Sequence, residues 1–100
     1  MSIINSDSEG GRQDRLRIAE VQRTAETLIE SLGDPPLKEI YALKVARRMV
    51  SGELNGEKVK LVIDTALRLA WKGKLEKWPA AYFVGVMKNE FDELGLEWDL

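Results

Sequence analysis

Lys44, Arg47 and Arg48 stand at i, i+3 and i+4, a spacing that sets three cations on one narrow face of a helix. Lys58, Lys60, Arg68, Lys72, Lys74 and Lys77 follow in the same stretch. Such a stripe can neutralise phosphates, each contact adding to a salt-sensitive affinity. The same side chains also read as a solvated face that pairs with acidic neighbours, and a sequence pI of about 5.2 favours that reading. Trp71, Trp78 and Tyr82 bracket Lys72, Lys74 and Lys77. Aromatic rings beside lysines are what a single-stranded nucleic-acid platform uses. The other reading of Trp78, directly before a helix-starting proline, is a packing staple on the following helix.

Other chemistry is excluded by residue type. The chain has neither cysteine nor histidine, which removes disulfides, thiol nucleophiles, thiolate metal sites and the commonest general base and metal ligand. Asp92, Glu93, Glu97 and Asp99 crowd the far end, but without the alternating oxygen ligands and fixed glycine of a calcium loop. No glycine-rich phosphate loop, nucleophile elbow or zincin motif occurs. The sequence therefore reads as a non-enzyme with no catalytic residue, metal, cofactor or small-molecule substrate. No apolar run reaches the roughly 20 residues that span a bilayer, and the start carries no signal-peptide core. A cytoplasmic protein without a membrane partner is expected.

Charge is segregated. Residues 1–37 hold four basic and seven acidic side chains, residues 38–77 ten and five, and residues 78–100 one and five. The basic middle between acidic ends serves either an external anion or internal pairing between packed helices.

Four helical segments must position these groups. Residues 1–11, ending in SDSEGG, lack apolar periodicity and read as a mobile tail, leaving residues 12–100 as one domain. From Asp14, the residues Ile18, Val21, Ala25, Leu28 and Leu32 step by three and four on one helical face until Gly33. Asp34-Pro35-Pro36 breaks the chain, and Pro36 is suited to begin a second helix running to Val50. That helix is apolar around most of its circumference and is expected to be central. Asn55 suits an N-cap for a third helix, about 57–72, with Val59, Val62, Ile63, Ala66, Leu67 and Ala70 inward. Gly73 ends it. Pro79 starts a fourth helix with Ala80, Phe83, Val84, Met87, Phe91 and Leu94 on the core face, stopped by Gly95. On its far side Tyr82, Val86, Asn89 and Glu93 form a second stripe suited to contact another molecule. No strand signal appears. The expected fold is all-α: a compact bundle of four helices with short loops and a mobile N-terminal tail.

Residues 63–96, IDTALRLAWKGKLEKWPAAYFVGVMKNEFDELGL, resemble the C-terminal helical region of DnaD-like primosome proteins and phage replisome organisers. The shared features are an alanine-bearing helix (Ala66, Ala70), a connector with Gly73, and a tyrosine-led helix ending in a glycine-hydrophobe pair. In that family the last helix carries Tyr-x-x-x-Ile-x-x-x-Trp, associated with single-stranded DNA binding. Tyr82 and Val86 match the first two positions, and Glu90 stands at the third, where a carboxylate would weaken affinity for phosphate. The resemblance covers about a third of the chain and implies replication or mobile-element biology.

Two functions are expected from these features. One is a DNA-replication accessory domain that binds single-stranded or duplex DNA weakly through Lys44, Arg47, Arg48, Lys72, Lys74, Lys77 and Tyr82, or bridges to a replication partner. The other is a protein-interaction or self-association module that uses Tyr82, Val86 and Asn89 and binds no nucleic acid.

Overall fold

Apolar residues at steps of three and four, cut by glycine and proline, produce four helices and, among the described residues, no strand. The computed structural model describes the backbone of residues 2–98 and the side chains of residues 17–98. The helices are α1 (Ser2–Ser31), α2 (Glu39–Val50), α3 (Gly56–Trp71) and α4 (Pro79–Glu93). The reading of residues 1–11 as a mobile tail lies outside the residues whose side chains are described.

α1 packs on α2 and α3 on α4 as two hairpins, closed over one core. The core is built from Ala25, Leu28 and Leu32 of α1, Ala42, Val45 and Ala46 of α2, Val59, Ile63 and Ala66 of α3, and Phe83, Met87 and Phe91 of α4. Leu37 and Leu54, from the loops on either side of α2, seal it and are almost fully buried. Ala42, Val45 and Ala46 are wholly inaccessible, although Ile40 of the same helix remains exposed.

Three expectations are corrected. Pro36 does not open α2: Lys38 is the N-cap, in extended conformation, and its carbonyl accepts the Tyr41 and Ala42 N–H groups. Residues 36–38 lie outside the helix, and the Leu37 side chain is buried in the core. Ile18 lies on the α1 stripe but is 60% exposed. Among the described residues the buried part of α1 begins at Ala25, about two helical turns beyond Ile18. Leu67 and Leu94 lie at the margins of their helices' core faces and remain exposed.

The punctuation acts as the sequence suggests. Asn55 accepts the Glu57 N–H at 2.9 Å and caps α3. Asn55→Ala should cost about 1 kcal/mol, read as a melting temperature several degrees lower. At the other end, Gly73 takes φ 67°. Its N–H bonds to Ala70 O and that of Lys74 to Leu69 O, at 3.0 and 2.9 Å, the two bonds of a Schellman turn. A side chain at position 73 would be strained there although space is open.

Candidate nucleic-acid interface

The α3–α4 connector is set by signals at both ends. The Schellman turn at Gly73 throws the chain away from α3 immediately after Trp71. Pro79 forces its predecessor to extended backbone, and Trp78 takes φ −67°, ψ 151° as the N-cap of α4. The two tryptophans therefore stand at the two mouths of a six-residue connector. Trp71 is 91% exposed and Trp78 64% exposed. Trp78 is thus not the buried staple that its place before proline suggested: it is itself the N-cap of α4, whereas a staple is formed by the residue before the N-cap, and its ring stays at the rim of a shallow groove. Lys72, Lys74 and Lys77 are all exposed between the two rings.

Beside this connector runs a groove of about 350 Å³, lined by Leu75, Lys77, Tyr82, Val86 and Asn89 among others. The far-side stripe of α4 and the end of the basic connector, read separately in the sequence, here form one surface. Tyr82 and Val86 are half-buried and Asn89 is exposed.

Lys44, Arg47 and Arg48 do share one face, and they line a different cleft, of about 430 Å³, with Phe91 and Trp98. Because Phe91 and Trp98 lie at the C-terminal end of α4 while the connector enters its N-terminus, the two basic clusters sit about one helix length apart, roughly 20 Å for fifteen residues. They do not form one continuous stripe. Arg48 is also committed: its Nη1 donates to both carboxylate oxygens of Glu53, at 3.0 and 2.9 Å. The Ser51 hydroxyl, donating at 2.8 Å, and then Arg48 hold the Glu53 carboxyl below its ordinary value.

Lys58, read as part of the basic face, spans to α4 instead. Its Nζ lies 2.7 Å from Glu90 Oε1. Glu90 is 8% exposed, so the carboxylate at the third motif position faces α3 and not the surface that Tyr82 and Val86 line. The hydrogen bond to Glu90 lifts the Lys58 amine above its ordinary value, against desolvation and with further help from the charges of Glu90 and Glu93.

Trp98 escaped the sequence reading. It stacks on Tyr41 (centroids 6.0 Å apart, planes at 23°) and meets Phe91 edge-on at 4.9 Å. Lys44 Nζ lies 5.2 Å from its ring centroid and Lys88 Nζ 6.0 Å. The only available signal was an isolated aromatic three residues beyond the helix-stopping glycine. Among the described residues no three His, Cys, Asp or Glu side chains are placed to hold a metal ion, and no helix is long and apolar enough to cross a membrane. No protein-family model, curated protein or solved structure matches the chain.

Proposed function

We propose that this chain is a small helical accessory domain that binds single-stranded DNA through the α3–α4 connector. The observation that carries the reading is the pair of exposed tryptophans, Trp71 and Trp78, flanking Lys72, Lys74 and Lys77. A tryptophan left 91% in water adds nothing to the core, and its face suits a base, which stacks on indole without regard to sequence. Three lysines within the same six residues, with Glu76 as the one acid among them, supply the phosphate contacts. Tyr82, at the adjoining groove, extends the platform onto α4. The replication setting is taken from the resemblance of residues 63–96 to the DnaD-like region, in which Tyr82 and Val86 are the matching positions.

The test is a titration of labelled oligo-dT and of duplex DNA across a series of salt concentrations. Three phosphate contacts on a single strand correspond to a log–log salt slope of about −2. The Lys72→Gln/Lys74→Gln/Lys77→Gln variant should bind more weakly and with a slope near zero. A variant that keeps the parent slope removes the connector from the interface.

A second reading, docking to a protein partner, is favoured by one feature. An apolar groove of about 290 Å³, lined by Pro35, Leu37, Tyr41, Trp78, Ala81 and Val84, opens beside the same tryptophan. Trp78→Ala would impair both functions, whereas Val84→Asp would impair only docking in that groove.

A further inference from the structure

The cleft at the opposite end of α4 has a construction that the connector reading does not use. Of its three lining cations, Arg48 is held by the Glu53 carboxylate, whereas Lys44 is positioned by aromatic rings. Lys44 Nζ is held over two rings, 5.7 Å from the Tyr41 centroid and 5.2 Å from that of Trp98. Cation–π contact fixes the amine while leaving its charge without a counter-ion. Arg47, one turn further along, is exposed. Among the described residues, neither Lys44 nor Arg47 has a carboxylate within salt-bridge distance. Glu53, on the same wall, is already held by Arg48 and Ser51. Among the described residues the one other carboxylate lining the cleft is Glu97, and it arrives on the segment that Trp98 pins across α2 and α4.

We propose that this cleft is a site for phosphate groups, and that residues 96–98 form its lid, with Trp98 as the latch and Glu97 as an internal competitor for Lys44 and Arg47. The volume of about 430 Å³ admits an oligophosphate. The latch is reversible by construction: Trp98 is only half-buried, and its contacts are one stacked ring, one edge-on ring and two amines. An anion that engages Lys44 draws the amine from the indole and loosens the lid, while a lid that closes brings Glu97 back towards the cations. Affinity for phosphate is therefore set by the chain's own carboxylate.

The experiment uses the full chain with Trp71→Phe and Trp78→Phe, which leaves Trp98 as the sole indole of the three. Tripolyphosphate at low salt should change its emission saturably. In that background Glu97→Gln should tighten binding about fivefold, the size of a screened interaction between unit charges a few ångströms apart, and Arg47→Ala should weaken it by at least as much. Both side chains are exposed, so circular dichroism should be unchanged. No saturable response, equal affinity after Arg47→Ala, or affinity not increased by Glu97→Gln would each overturn the proposal. Competition by unlabelled oligo-dT separates the sources: displacement of tripolyphosphate identifies nucleic-acid backbone as a ligand, and its absence identifies a free oligophosphate. The connector lysines are untouched, so failure here leaves the connector reading standing.

Discussion

Replacing Trp71 and Trp78 together by alanine should weaken binding to oligo-dT by at least about thirtyfold while leaving the melting curve where it is. Alanine substitution of a stacking ring costs about 1–3 kcal/mol per base, and even the lower figure, taken twice, gives about 2 kcal/mol, or roughly thirtyfold. The fold should not register the change, because the two rings are 91% and 64% exposed and neither belongs to the core. Fluorescence anisotropy of a labelled oligonucleotide at low salt, with thermal melting of the same samples, reads both quantities. Salt dependence adds a second discrimination. Stacking involves no counter-ion, so the tryptophan variant should keep the parent's slope at reduced affinity, whereas the lysine variant loses the slope itself. Affinity within about threefold of the parent would mean that no base stacks on these rings, and the tryptophans would then belong to a protein interface.

What the sequence made legible, and what it did not, follows from the range of each interaction. Helix starts and stops are local: Asn55, Gly73, Pro79 and Gly95 each act within four residues, and the structure bears out all four. The shared face of Lys44, Arg47 and Arg48 is likewise a property of one helix and was readable from spacing. Relations between helices were not. That the basic residues divide between two ends of α4, that Lys58 reaches Glu90, and that Trp98 folds back onto Tyr41 all depend on which helix lies beside which. Periodicity also says which face is apolar but not how much of it a neighbour covers. Ile18 and Leu67 have the right spacing, yet both stay exposed, Leu67 at the edge of an open groove between α1 and α3. For Trp78 the local signal pointed the wrong way. A staple joins the residue before the N-cap to the fourth helical residue, and in α4 Trp78 is the N-cap itself, so its ring is one position out of place.

Glu90 gives the sharpest test of how far the motif resemblance extends into the structure. Tyr82, Val86 and Glu90 follow at intervals of four, and each such step turns about 40° further around an α-helix. Over two steps the line rotates from the connector groove to the α3 interface, so the third position is interior here. Glu90→Trp, which supplies the tryptophan found at this position of the DnaD-like motif, should therefore lower stability and leave DNA affinity per folded molecule unchanged. Overfilling a packed site costs about 1–3 kcal/mol, which for a domain of this size is a melting temperature lower by about 4 °C or more. The pair also leaves a mark in alkali. Because folding raises the Lys58 value, the stability it contributes is complete below the ordinary lysine range and is lost as pH rises through the raised value. The parent should lose that increment at high pH, and Glu90→Trp, with no carboxylate to meet Lys58, should lack it at every pH. Glu90→Gln keeps the shape and an oxygen for Lys58, so its loss should be smaller than that of the tryptophan. Tighter DNA binding by Glu90→Trp at an unchanged melting temperature would place position 90 on the ligand surface and extend the motif through all three turns. A destabilised variant with parental affinity would confine the binding residues of α4 to its first two turns, next to the connector that carries the tryptophans.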